Sequence, residues 1–210
     1  MLRRTSSRRR GLPVGRILIA LIVAIVSLIS YFGAQQDNPV TGETQHVNMT
    51  YEQEIALGLQ AAPEMAAQFG GLDPNEEVQN LVDRIGNYIV DQSPAEDSPY
   101  EFEFHVLEDE QTINAFALPG GQIFITRALL DRLKTEGEVA GVLGHEIGHV
   151  VARHSAEHIA KAKLTEGLTG AVVIASYDPD NPRSRQTAQV AMLIGQLVNM
   201  KFGREDELES

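Results

Sequence analysis

The sequence predicts an α+β chain, mainly helical, with a small β-sheet and one transmembrane helix ahead of it. Three observations predict this. An uncharged apolar run of eighteen residues, Ile17 to Ala34, lies near the N-terminus. Apolar residues then recur at helical spacing, as at Val78, Leu81, Val82, Ile85 and Ile89. Between the helical stretches sit an alternating segment, Tyr100 to Leu107, and two short apolar segments split by Pro119-Gly120-Gly121.

Composition narrows the function classes. The chain has 210 residues, enough for one ordinary domain and an appendage, and 43% of them are hydrophobic. It has no cysteine, which excludes disulfides and thiolate metal sites. Any metal must be held by histidine and carboxylate. Net charge is −12, unevenly spread. Arg3, Arg4, Arg8, Arg9, Arg10 and Arg16 stand before the apolar run, with no acid among them. Residues 35–210 are left with 11 basic and 29 acidic residues, a net of −18. Such a domain repels nucleic acid.

Residues 1–16 read as a basic cytoplasmic segment and 17–34 as a transmembrane anchor. Eighteen residues at about 1.5 Å each nearly span a hydrocarbon layer of about 30 Å. The rival is a cleaved signal peptide, whose apolar region is shorter and ends in an A-x-A-like site. Tyr31-Phe32-Gly33-Ala34 offers no good site, which favours an uncleaved anchor. The arginines stay cytoplasmic and place the rest of the chain on the other side, periplasmic or extracellular.

Residues 35–49 read as a polar linker and 50–210 as the folded domain. Thr50 caps a helix from Tyr51, with Pro63 inside it and Gly70-Gly71 at its end. Asp73-Pro74 reads as the cap and first position of the next helix. Ser93 to Pro99 is a loop. Tyr100 to Leu107 is a half-buried strand. Asn114 to Leu118 and Gln122 to Thr126 form a hairpin or edge element. A short helix starts at Ala128. A long one is expected from Glu136 to about Lys163, and a buried apolar one from Gly167 to Ser176. Asp178 to Pro182 is a loop, Gln186 to Phe202 a helix, and Glu205 to Glu209 an acidic tail.

The chemistry lies in His145-Glu146-Ile147-Gly148-His149, which reads H-E-x-x-H on the long helix. Residues i and i+4 share a helix face, so His145 and His149 can offer two imidazoles to one metal ion. Glu146 lies about 100° round the helix, within reach of a water beside that metal. A zinc peptidase needs two such ligands, an open position and a carboxylate base. The third ligand is a carboxylate further along, and spacing alone does not choose among Glu205, Asp206, Glu207 and Glu209.

The stretch from His145 to His154 resembles the active helix of the membrane-associated gluzincin peptidases. That family includes the CAAX prenyl endopeptidase, HtpX and periplasmic proteases of the BepA and LoiP type. Two further blocks match in family order: Asn114 to Thr126 with Leu129-Leu130, and Arg204 to Ser210. The resemblance implies a zincin-like domain with one Zn²⁺ held by His145, His149 and Glu207. It implies Glu146 as general base for a zinc-activated water. It places Asn114, Ala115, Phe116 and Ala117 on the strand bordering the cleft, where an extended peptide adds as another strand. It also puts a family Asp at position 211, so the domain is expected to be truncated at its C-terminus. Gly144 and Gly148 are read as close-approach or small packing residues.

The expected function is zinc-dependent endopeptidase acting on misfolded or damaged envelope or membrane proteins. The prenyl-processing members have several spans, and this chain shows one, which disfavours that substrate. The alternative is a catalytically weak relative serving as chaperone or scaffold through the same cleft. A second motif, His154-Ser155-Ala156-Glu157-His158, reads H-x-x-E-H. On one continuous helix His154 lies about 180° from His145, away from the cleft. It is expected to be structural or superficial, and its replacement to leave zinc binding intact. His46 and His105 are assigned no role.

Overall fold

The computed structural model describes residues 14–176. Helix α1 spans Val14–Phe32, slightly ahead of the expected 17–34. Its large apolar side chains, among them Ile22, Val26 and Ile29, face outward. The expected linker instead holds a hairpin, β1 (Gln35–Asp37) with β2 (Thr44–His46). Asn38 explains it. Its Oδ1 accepts from the N–H groups of Val40 and Thr41 at 2.8 and 3.1 Å, closing the turn that Gly42 completes at φ 75°.

Helix α2 covers Tyr51–Gln68 and runs through Pro63. Thr50 and Gln53 form its capping box, and Gly70 and Gly71 follow its end at φ 86° and 99°. Helix α3, Glu76–Asp91, begins two residues later than the sequence suggested. Asn75 is the cap, accepting from Glu77 and Val78. Asp73 is drawn off by Arg127, whose Nη1 lies 3.2 Å from its Oδ2. A single 3₁₀ turn, Pro94–Asp97, occupies the expected loop.

The sheet contains β3 (Glu103–Leu107), β4 (Ala115–Ala117) and β5 (Gln122–Thr126) in the order β3-β5-β4. β5 is parallel to β3 and antiparallel to β4. The expected hairpin is present. Gly120 and Gly121 hold φ 84° and 103°, and a Cβ on Gly120 would meet the Ile55 Cα at 2.4 Å. The turn therefore needs glycine for conformation and for space. Helix α4, Arg127–Leu130, is one turn.

Helix α5, Glu136–Val151, packs with α3 on the sheet. Val82, Val106, Ile123, Ile125 and Leu143 are wholly buried between them. Each contributes about 1.5–3 kcal/mol over exposure. The expected helix from Glu136 to Lys163 is two helices. It breaks at Ala152-Arg153, and α6 runs from His154 to Ser176. The expected buried helix Gly167–Ser176 is the C-terminal half of α6; it lies along α1, with Val172 left 48% exposed. The features expected between Asp178 and Glu209 fall outside the described residues.

Candidate active site

Thr135 caps α5, with Glu136 and Glu138 in the first turn, where carboxylates oppose the helix dipole. The H-E-x-x-H residues lie in its last two turns. One turn apart, His145 and His149 bring their Nε2 atoms to 3.1 Å, with ring planes at 90°. Two Zn–N bonds of about 2.0–2.1 Å at a tetrahedral angle would hold donors about 3.3 Å apart. The pair therefore fits a metal bound between them. Glu146 is buried on the same helix. Glu207 lies outside the described residues, and among those described no group of three histidines and carboxylates is placed to hold one metal ion. Nothing described comes within 4 Å of a Cβ built at Gly144 or Gly148, so neither expected packing role appears there.

The structure corrects the reading of His154. It is buried, and its Nδ1 lies 2.8 Å from His149 Nδ1. When His149 donates through Nδ1–H, the ring's lone pair lies on Nε2, the atom that faces His145. A count of 100° per residue placed His154 on the far face because it assumed an unbroken helix. Arg153 breaks it, in the left-handed region at φ 60°, and folds the following residue back onto α5.

What holds Arg153 there is a buried polar cluster. Arg153 Nε donates to Glu54 Oε1 at 2.9 Å, and Nη2 donates to the Met49 carbonyl at 2.8 Å. Its guanidinium lies 4.1 Å from the Tyr51 ring centroid. Tyr100 donates its hydroxyl to the other Glu54 oxygen at 2.7 Å. Burial first, then the Glu54 hydrogen bond, push the Tyr100 hydroxyl far above its ordinary range and keep it a donor. Burial alone would lower the Arg153 pKa, but Glu54 outweighs it and the net shift is upward. The hairpin completes the frame. Asn38 and Gln45 donate their amides to the carbonyls of Val151 and Ala152, at 2.8 and 2.7 Å, capping the C-terminus of α5.

Among the described residues β4 is one edge of the sheet, with β3 the other, and it packs beside α5. Asn114 accepts from Thr126 N–H, and Leu118 N–H donates to Gln122, so the even positions face β5. By the alternation of antiparallel pairing, Ala115 and Ala117 direct their N–H and C=O groups off the open edge. The side chains of Ala115 and Ala117 lie against the core below the α5 face. Phe116 points the other way and stacks on Phe124 at 5.0 Å. Of the four residues expected at the cleft, Ala115 and Ala117 thus offer main-chain groups, while Asn114 spends its own on Thr126.

A profile described as peptidase family M48 matches residues 74–210. The chain is 31% identical over 184 residues to a protein of Schizosaccharomyces pombe named mitochondrial metalloendopeptidase OMA1, covering 87% of this chain and 52% of that one. It is 28% identical over 181 residues to the beta-barrel assembly-enhancing protease of Yersinia pestis, covering 84% of this chain and 36% of that one. A 53-residue stretch is 53% identical to OMA1 of Arabidopsis thaliana, a quarter of this chain and 11% of that one. The chain thus spans about half or less of the length of these relatives. The profile match begins at the entry to α3 and takes in the sheet, its edge strand and the whole of the H-E-x-x-H helix, and on that extent the chain belongs to peptidase family M48.

Proposed function

We propose that this chain is a zinc-dependent endopeptidase anchored in a membrane, with its catalytic domain on the non-cytoplasmic side. The observation that carries the reading is the converging Nε2 pair of His145 and His149 on a helix that also bears Glu146 and lies beside an open strand edge. His145, His149 and Glu207 would hold the ion. Zinc when bound supplies Lewis acidity, polarising a carbonyl and lowering the pKa of a water. The chain's own residues do the rest. His154 holds the His149 ring through Nδ1. Glu146 takes a proton from the attacking water on a carboxylate oxygen and delivers it to the leaving amide nitrogen. Ala115 and Ala117 bind the substrate backbone as an added strand.

Recognition through main-chain groups tolerates many sequences. That suits misfolded or damaged envelope or membrane proteins as substrates. Zinc analysis of the purified full chain, with casein digestion before and after chelation, tests the proposal. Chelation abolishes digestion and added zinc restores it if the proposal holds; a metal-free chain that digests casein equally well refutes it. A compartment-sensitive reporter fused after Gln36 tests the side of the membrane.

A further inference from the structure

Helix α6 does not stay within the domain. It runs antiparallel to α1. Near the Phe32 end Glu157 accepts from the His46 N–H at 3.4 Å and the His46 ring stacks on Tyr31 at 4.4 Å, and ten residues after Glu157 Gly167 meets Ser27, so close that an added Cβ would stand 2.0 Å from the Ser27 Oγ. Ala20 on α1 and Ala171 on α6 are both buried. Small residues let two helices approach closely, as they do inside membranes.

Depth follows from helical rise. Ser27 lies about 8 Å below the Phe32 end of α1, at 1.5 Å per residue. Gly167 is at that level, and Ser176 lies about 13 Å deeper. The composition changes where the depth does. Lys161, Lys163 and Glu166 precede Gly167, and Gly167 to Ser176 contains no charge. Ser27 on α1 donates to Val23 O at 2.9 Å and Ser176 on α6 to Val173 O at 3.4 Å, so these two hydroxyls bond within their own helices. Hydrocarbon favours such internal pairing. Val172 is exposed on α6, as Ile22 and Val26 are on α1.

We propose that Gly167–Ser176 is embedded in the lipid bilayer against α1, so that two helices hold the chain in the membrane. This rests on the reading of α1 as a membrane span. A consequence concerns the site. His154 lies about 20 Å along α6 from Gly167, which puts the metal helix about 12 Å above the hydrocarbon boundary. Segments of membrane proteins just outside the bilayer are then the substrates within reach.

The chain has no cysteine, so single cysteines can be placed without other changes. Val172→Cys, Ile22→Cys and, on the exposed 3₁₀ turn, Glu96→Cys would each carry a nitroxide label. The full chain is reconstituted into phosphatidylcholine–phosphatidylglycerol vesicles. Spin relaxation by oxygen is compared with relaxation by a water-soluble nickel chelate. The expected result is an oxygen-to-nickel ratio several-fold higher at positions 22 and 172 than at 96. A nickel-accessible 172 with an oxygen-accessible 22 overturns the inference and leaves the anchor standing. Nickel access at 22 overturns the anchor reading and, with it, the paired-helix arrangement.

Discussion

Glu54→Ala is predicted to destabilise the chain more than any single contact at helix α5 would suggest. Glu54 is on α2, far in sequence from the motif, yet its side chain is 2% exposed and faces an Arg153 side chain that is 3% exposed. Removing the carboxylate leaves a buried guanidinium without its partner and Tyr100 without its acceptor. Breaking one side of a buried pair costs about 3–5 kcal/mol. At about 2–4 °C per kcal/mol for a chain of this size, the melting temperature falls by roughly 6–20 °C. Circular dichroism melts of the full chain in detergent measure it. Glu54→Leu combined with Arg153→Met is expected to recover most of the loss, because apolar side chains of similar volume often replace a buried pair at little cost. A Glu54→Ala melt within about 2 °C of the parent, below the shift of a single kcal/mol, would refute the claim that this pair holds the α5–α6 break.

His154→Ala is predicted to weaken zinc binding about 10–100-fold, as loss of a hydrogen-bond partner to a ligating histidine does. His154→Asn, which can return an acceptor near Nδ1, restores part of it in zinc titration calorimetry. Ala117→Pro removes an N–H that points off the sheet edge, so it leaves the melt nearly unchanged and raises KM for casein-derived peptides with little change in kcat. Equal KM values would mean that substrates do not add to β4. Gly120→Ala forces a side chain into the left-handed region, costing about 1–2 kcal/mol before its clash with Ile55 is counted, and denaturant unfolding will show at least that loss.

The sheet and most helices were legible because their signals are local. Phe104 and Val106 alternate toward the core, Pro119-Gly120-Gly121 turns, and Thr50 and Gln53 form a capping box within four residues. The His145–His149 pair was legible because both residues sit on one helix. The α5–α6 break was not, because arginine is not a residue that announces a left-handed turn, and the glutamate that stabilises it lies 99 residues away. With the break hidden, His154 was counted onto the wrong face. The β1–β2 hairpin was missed for a similar reason. Its Asn38 and Gln45 are polar, as in a linker, but they are buried against α5 carbonyls more than 100 residues on. Hydrophobic patterning finds apolar cores and is blind to polar ones.

The proposal that Glu146 is the base of a zinc peptidase is tested most directly by one paired measurement on Glu146→Gln and the parent chain. Zinc per chain is determined by mass spectrometry, and casein cleavage is timed on the same samples. The account predicts one zinc per chain in both, with cleavage by the Gln form reduced about 10²–10⁴-fold. Cleavage by Glu146→Gln at the parent rate, or a parent chain that binds zinc and cleaves nothing, would contradict it.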